Sequence, residues 1–102
     1  RVRSFEECEI ANFLYLNGIN YVYEKDYEYN TSSKDYKQYQ PDFYLPDYNL
    51  CIEYHGQQHY HIIDYFGGKE YFIKRQETDK IKENYCLNNN IPLLIIPYNY
   101  FL

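Results

Sequence analysis

Apolar positions recur with helical spacing in two parts of the chain. In the first part, apolar residues three and four positions apart follow Ser4 and stop before Gly18, which predicts an amphipathic helix with a serine cap and a glycine stop. The second part extends from about Lys69 to Leu87, after Gly67-Gly68 and before a run of asparagines. Asparagine tolerates the left-handed backbone of a helix end. Two helices are therefore expected.

Alternating apolar and polar residues indicate strands between and after these helices. Residues 19–28 alternate in this way, whereas the polar stretch 30–40 is predicted to be a loop. After the second helix, the continuous apolar run 93–96 lies between Pro92 and Pro97. Such a run is typical of a strand that is buried on both faces.

Two further strand patterns, residues 41–45 and 50–55, flank the turn-forming residues 46–49 and predict a hairpin. With Asp47 and Tyr48 at the centre of the turn, counting gives three opposed pairs: Leu45 with Leu50, Phe43 with Ile52, and Asp42 with Glu53. The complete order is α-β-β-β-α-β without an internal repeat. We therefore expect an α/β fold, with a mixed sheet of short strands flanked by helices.

Side chains alternate across the strands of this hairpin, so its polar members share one face: Asp42, Tyr44, Cys51, Glu53 and His55. Directly opposed carboxylates repel each other, so the pairing of Asp42 with Glu53 predicts a nearby cation or a raised pKa for one of the two. Oxygen ligands favour a hard ion such as Mg²⁺. The alternative is that both acids are solvated on an exposed sheet face.

Length and composition indicate the number of domains and the cellular compartment. The 102 residues suit one domain, residues 1–102, and the absence of Met suggests a piece of a longer protein with further domains outside it. We find neither an apolar stretch of about 20 residues nor a secretory leader. Three cysteines cannot all pair, which favours a reducing compartment. We expect a cytoplasmic or nucleoid-associated protein without a membrane span.

The net charge of −5 bears on the kind of partner. A DNA-binding domain usually carries a basic patch that displaces counterions from phosphates, so an acidic chain is expected to bind DNA weakly by itself. Clustered carboxylates that await a divalent cation produce the same acidic balance. Net charge alone does not distinguish a chain that binds DNA weakly from one whose carboxylates bind a divalent cation.

The residues of the hairpin resemble a known nuclease motif. Pro41-Asp42 followed by Glu53-Tyr54-His55 resembles the PD-(D/E)xK motif, and the predicted element order is similar to the restriction-endonuclease-like core of that superfamily. Pro41-Asp42-Phe43 with the segment from Glu53 to His59 is more similar still to the very-short-patch-repair endonucleases and the related EDxHD homing-endonuclease group. Three further segments look like the phage and giant-virus members: Phe66-Gly67-Gly68, Asp79-x-x-Lys82 and Ile91-Pro92-Leu93-Leu94.

This resemblance implies a Mg²⁺-dependent endonuclease, with Mn²⁺ as a substitute, that hydrolyses DNA in homing, repair or mobile-element cleavage. Asp42 is then the principal metal ligand beside Glu53, and His55 or His59 handles protons near the phosphate that water attacks in line. Asp79 and Glu7 are implied as outer members that orient their neighbours. A concerted double-strand cut would need a homodimer.

The chain departs from the ordinary motif at His55, where the PD-(D/E)xK pattern has lysine. A neutral imidazole does not stabilise an oxyanion as a permanent cation does, so His55 either acts as a general base or is protonated in use. The rival reading is therefore a catalytically inactive DNA-binding or protein-interaction module that retains the nuclease fold. The negative charge and the missing lysine favour this rival.

Two acidic residues have structural alternatives to a catalytic role. Glu7 lies three residues after Ser4, so a capping box explains it as well. Asp79 shares a helix stripe with Phe72 and Cys86 at heptad spacing, where packing would favour an apolar residue. A hydrogen-bonded boundary aspartate is the alternative there.

The remaining candidates are weaker. Nucleic-acid contacts are assigned to Gln57, Gln58, Lys80 and Lys82, although a plain bend after the strand explains the two glutamines and neighbouring acids offset the two lysines. The three histidines and three cysteines also raise the possibility of zinc, but their spacing is poor for it. Cys8 and Cys86 instead fit helical apolar patterns and are expected to be buried.

Overall fold

The computed structural model describes residues 4–24, 27–30, 36–39 and 41–101. These described residues contain two helices, α1 from Phe5–Leu16 and α2 from Gly68–Asn88, which confirms both predicted helices. They also contain six strands, β1 Val22–Tyr23, β2 Tyr27–Asn30, β3 Tyr36–Tyr39, β4 Phe43–Leu45, β5 Leu50–His55 and β6 Leu93–Pro97. Short 3₁₀ helices cover Gln57–His59, Asp64–Phe66 and Tyr98–Phe101.

The main sheet has four strands in the order β1-β4-β5-β6. β4 is antiparallel to β1 and to β5, while β6 is parallel to β5, so the sheet is mixed as expected. Along the chain, the elements of this sheet and its helices run α-β-β-β-α-β. The predicted order is therefore confirmed for the main sheet.

The capping of α1 is confirmed in part. Ser4 Oγ accepts the backbone N–H of Glu7 at 3.1 Å, which is the first half of a capping box. The Glu7 carboxylate also accepts a hydrogen bond from the Tyr23 hydroxyl. At the other end, Gly18 has φ +66°, a left-handed conformation in which glycine carries no steric cost.

The strand predicted for residues 19–28 is confirmed only at residues 22–23 and 27–28. The loop predicted for residues 30–40 is wrong at Asn30 and at residues 36–39, which belong to strands, while residues 31–35 and 40 lie outside the described part of the chain. Glu24 adopts φ +55°, so β1 ends after two residues, and Tyr27 begins β2. β2 pairs with β3 in a separate antiparallel two-stranded sheet. Four tyrosines in these two strands supply β propensity that the polar composition of this stretch conceals.

The hairpin of β4 and β5 has the predicted register. Phe43 pairs with Ile52 and Leu45 pairs with Leu50, because residues 46–49 form the turn and Asn49 takes a left-handed φ of +49°. The ladder begins at Phe43, so the predicted opposition of Asp42 and Glu53 is not one of its pairs. Asp42 lies just before the strand.

The prediction that residues 93–96 are buried on both faces is wrong. β6 is the last strand in the order of the main sheet, and Leu94 is 46% exposed. Strand order depends on contacts between distant parts of the chain, so an apolar run alone does not reveal an edge position.

Helices cover both faces of the main sheet. On one face, Ile10, Ala11 and Leu14 of α1 pack against Phe43 and other apolar side chains of β4 and β5. On the other face, Cys51 packs against Cys86 of α2. The expectation of a buried Cys8 is wrong, since its side chain is exposed on α1. All three cysteines lie in the described part of the chain, and none forms a disulfide.

Within the described residues, we find no helix with both the length and the apolar character that crossing a membrane requires.

Candidate active site

The end of strand β5 carries two buried polar side chains on the α2 face. Glu53 and His55 are 7% and 5% exposed, and they share a face because they are two residues apart on one strand. His55 Nε2 lies 2.9 Å from Glu53 Oε1. When Glu53 is ionised its carboxylate only accepts hydrogen bonds, and His55 then donates through Nε2.

A turn after β5 brings a second histidine over the first. The 3₁₀ helix Gln57–His59 follows Gly56 and returns the chain towards the sheet. The rings of His55 and His59 stack with centroids 3.9 Å apart and planes 14° apart. The side-chain amide of Gln76 donates to the backbone carbonyl of His59, which ties this turn to α2.

Helix α2 supplies the acidic partner of the second histidine. His59 Nδ1 lies 2.8 Å from Asp79 Oδ2, and Arg75 Nη1 lies 3.8 Å from Asp79 Oδ1. Arg75 is one helical turn before Asp79, which places both side chains on one face. His55, His59 and Asp79 are called the histidine cluster below.

The electrostatic surroundings of Asp79 keep it ionised. Burial by itself raises the pKa of this carboxyl group, but the hydrogen bond from His59 and the nearby charges of His59, His55 and Arg75 outweigh that effect. The net result is a pKa below the usual value. A carboxylate held in its charged form orients the imidazole and stabilises positive charge that forms on it.

A cavity of about 430 Å³ opens beside the histidine cluster. Its other lining residues are Tyr60, Phe72, Gln76, Lys80, Glu83, Asn84 and Ile95. Burial, followed by the negative charges of Asp79 and Glu83, raises the pKa of the Tyr60 hydroxyl. A small substrate group that enters this cavity would meet two imidazoles, one cation and several hydrogen-bonding side chains.

Asp42 takes part in the backbone structure of the hairpin. Its Oδ2 accepts the N–H of Tyr54 at 2.7 Å, one residue from Glu53 and one residue from His55. This bond continues the link between the two strands beyond the last ladder pair. Asp42 is half-buried, and it does not belong to the histidine cluster.

Glu7 lies on the opposite face of the sheet. The Tyr23 hydroxyl donates to Glu7 Oε1 at 2.9 Å, and Tyr54 packs on the α1 side of β5. Burial raises the pKa of the Tyr54 hydroxyl, and the charges of Glu6 and Glu7 raise it further. The structure thus brings together His55, His59 and Asp79 but leaves Glu7 in a separate acid–tyrosine group.

The residues expected to contact nucleic acid are dispersed. Lys80 lines the cavity, whereas Lys82 is half-buried and lies outside the lining. Gln57 is exposed, and Gln58 is half-buried with its side chain folded over Gly56. A Cβ at Gly56 would lie 2.5 Å from Gln58 Oε1.

The donor atoms of the histidine cluster lie close enough together to be considered as metal ligands. One donor atom from each member of the histidine cluster lies within 4.8 Å of the others, and this set of two nitrogens and one oxygen suits a transition metal. However, the two rings are nearly parallel, so their nitrogen lone pairs run side by side instead of converging. One ring would have to turn before both could bind the same ion.

Some site residues were not predicted. Tyr60 and Arg75 border the histidine cluster, and the four-residue spacing from Arg75 to Asp79 is a signal that was present in the sequence. His61 bonds the hydroxyl of Tyr98, with Nε2 and the oxygen 2.9 Å apart. His61 and Tyr98 are 37 residues apart in the sequence, so no local sequence pattern predicts their contact.

Comparison with known proteins gives a partial match. A 58-residue stretch, 56% of this chain, is 41% identical to "Uncharacterized protein 307L" of Invertebrate iridescent virus 6. A stretch of equal length is 36% identical to "Uncharacterized protein 033L" of Invertebrate iridescent virus 3. No family model matches the chain, and no solved structure matches it significantly. The matched stretch covers 29% and 30% of these two proteins, so the chain is similar to less than a third of either curated relative.

Proposed function

We propose that this chain is a metal-dependent endonuclease that hydrolyses phosphodiester bonds in DNA. The observation that carries the proposal is the His59–Asp79 pair, which is stacked on His55 and borders an open cavity. The finer fold assignment, a restriction-endonuclease-like core, belongs to the same proposal. Its support is the α-β-β-β-α-β order of the main sheet and the Pro41-Asp42 and Glu53-Tyr54-His55 residues on adjacent strands.

His59 is the group that we assign to proton abstraction. Because Asp79 accepts the proton on Nδ1, the other ring nitrogen, Nε2, is left as the basic atom. A base of this kind takes a proton from water as the water attacks phosphorus, and Asp79 stabilises the imidazolium that results. Such a step typically accelerates a reaction by about 10²–10⁴.

His55 replaces the lysine of the ordinary motif in this proposal. Its Nε2 is hydrogen-bonded to Glu53, and its ring stacks on the ring of His59. His55 therefore positions His59, and when protonated it also places a positive charge beside the cavity.

Asp42 and Glu53 would hold the Mg²⁺ ion that the resemblance implies. Both offer carboxylate oxygens, which suit Mg²⁺ or Mn²⁺ better than the nitrogen-rich histidine cluster does. A bound ion would neutralise charge on the phosphodiester. The side-by-side geometry of the two imidazoles favours proton transfer over metal binding for the histidine cluster.

The decisive experiment incubates the purified chain with plasmid and single-stranded DNA in Mg²⁺, Mn²⁺ or EDTA. Cleavage is expected with either metal and not with EDTA. The variants His59→Gln and Asp79→Asn are expected to lose at least about 100-fold in rate. Glu77→Gln, an exposed acid on the same helix, serves as the matched control and should cleave normally.

The location of the metal is tested separately by calorimetric titration with Mn²⁺. Loss of binding in Asp42→Ala and retention in Asp79→Asn would support the assignment. Retention of binding in Asp42→Ala and its loss in Asp79→Asn would instead assign the ion to the histidine cluster. If no metal supports cleavage of any DNA, the chain is a non-catalytic module that retains the fold.

A further inference from the structure

Two rows of rings extend from the histidine cluster. The first, called the Tyr60 row, contains Tyr60, Tyr98 and His61. The Tyr60 ring centroid lies 6.4 Å from that of His55, Tyr98 lies 5.8 Å from Tyr60, and His61 lies 5.9 Å from Tyr98. The hydrogen bond between His61 and the Tyr98 hydroxyl fixes the far end of this row.

The second row begins at Asp79 and is called the Tyr65 row. Arg75, which lies 3.8 Å from Asp79, is placed 5.8 Å from the centre of the Tyr71 ring, within the range of a cation–π contact. Phe66 stacks near Tyr71 at 6.3 Å, and Tyr65 meets Phe66 edge to face at 5.3 Å. The row therefore contains Tyr71, Phe66 and Tyr65.

Each row has at least one ring that is open to solvent. Tyr65 is 91% exposed, and Tyr60 and Phe66 are each 42% exposed. Single exposed apolar residues are ordinary, but adjoining rings that lead to a cavity lined by one of them, Tyr60, form a surface that favours a ligand with flat apolar faces. The rings are connected to the histidine cluster by contacts, so a ligand on them would reach the candidate site.

The charge of the chain narrows the choice of ligand. With a net charge of −5, the chain gains little affinity from phosphates, and among the described residues Arg75 and Lys80 are cations beside the cluster. In a duplex the base faces are already stacked on each other, whereas a single strand leaves them available to aromatic side chains. Stacking of this kind contributes affinity without a broad basic surface.

We propose that the two rows bind single-stranded DNA by stacking its bases, so that a neighbouring phosphodiester enters the cavity beside His59. This proposal rests on the nuclease function proposed above and specifies its substrate. The preferred substrate is a single strand, or a single-stranded segment of a larger DNA, and not an intact duplex. Lys80 and Arg75 are the cations nearest the phosphate in this arrangement.

Binding is tested in EDTA, where cleavage does not interfere. Fluorescence anisotropy is measured with a labelled oligothymidylate, a duplex of equal length, and the matching oligouridylate. We expect the DNA single strand to bind at least about tenfold more tightly than the duplex. The double variant Tyr65→Leu/Phe66→Leu keeps apolar volume but removes the aromatic faces, and it should weaken single-strand binding about tenfold or more.

The matched control is Tyr15→Leu, which removes an aromatic ring of 77% exposure from α1, the helix on the other face of the sheet. This variant should bind as the unchanged chain does. Circular dichroism of all variants checks that the fold is retained, and Tyr60→Leu tests the other row independently. Equal affinity for duplex, preference for RNA, or unchanged binding in the variants of both rows would overturn the proposal.

The two proposals fail in different ways. Tight, ring-dependent binding of single-stranded DNA without cleavage in any metal would support the stacking surface and refute the nuclease. Metal-dependent cleavage of duplex DNA with no effect of the leucine variants would support the nuclease and refute the stacking surface. In that case, the exposed rings would be the place to seek a protein partner.

Discussion

At the scale of single residues, Asp79 shows how neighbours determine the state of a buried group. Burial works against its charge, and the His59 hydrogen bond together with the adjacent positive charges restores it. Its pKa in the folded chain lies below the usual 3.8. The charged form therefore stabilises the fold above this pH, and its contribution is lost as the pH falls through the depressed folded-state pKa.

The lowered pKa of Asp79 makes the stability of the fold depend on pH. Asp79→Asn should lower the melting temperature near pH 6, and the difference from the unchanged chain should shrink as the pH falls through the depressed pKa of Asp79. Thermal unfolding followed by circular dichroism across this range measures it. A difference that grows towards acid pH would contradict the depressed pKa.

Asp42 has both a structural and a proposed chemical role, and substitutions separate them. In Asp42→Asn the side-chain oxygen still accepts the Tyr54 N–H, so we expect stability close to that of the unchanged chain. Asp42→Ala leaves this backbone group without its carboxylate partner and should cost about 1 kcal/mol or more. Urea unfolding measures both values.

The same two variants carry a functional expectation. Cleavage should be lost in both, because each removes the negative charge that would hold the metal ion. Full cleavage by Asp42→Asn would show that Asp42 links the two strands but does not hold the metal ion. Asp47→Asn, an exposed turn residue, is the control for both assays.

At the scale of elements, helix α1 is held by one buried face. Leu14 is 3% exposed and packs in the core with Phe43 and Ile52, whereas Leu16 on the same helix is 79% exposed. Leu14→Ala should lower the free energy of unfolding by about 2–5 kcal/mol. Leu16→Ala should change it by no more than about 0.5 kcal/mol. Equal losses of unfolding free energy for Leu14→Ala and Leu16→Ala in urea would contradict the assignment of the Leu14 face as the buried face of α1.

Periodicity predicted both helices and the hairpin because these depend on local spacing and turn chemistry. The heptad stripe of α2 correctly brought Phe72, Asp79 and Cys86 to the sheet side of the helix. The stacking of His55 on His59 could not be predicted, since it depends on a 3₁₀ turn that α2 holds in place. The edge position of β6 and the pairing of β2 with β3 are likewise tertiary properties.

At the scale of the whole molecule, the acidic balance limits how DNA is bound. Each phosphate neutralised on a single strand contributes about −0.7 to the slope of log affinity against log salt concentration. If Arg75 and Lys80, the cations that the described residues bring to the site, each neutralise one phosphate, we expect a slope of about −1.5. Anisotropy titrations between about 50 and 200 mM salt measure it. A slope steeper than about −4 would reveal a basic path elsewhere on the chain.

The edge strand has a consequence for self-association. β6 presents one side of its backbone at the end of the main sheet, and an open edge of this kind is a template on which another chain can add a strand. Pro92 precedes the strand and Pro97 closes it, and neither residue has an N–H to offer. The prolines thus confine the apolar edge to four residues, too short a template for extended intermolecular sheet growth.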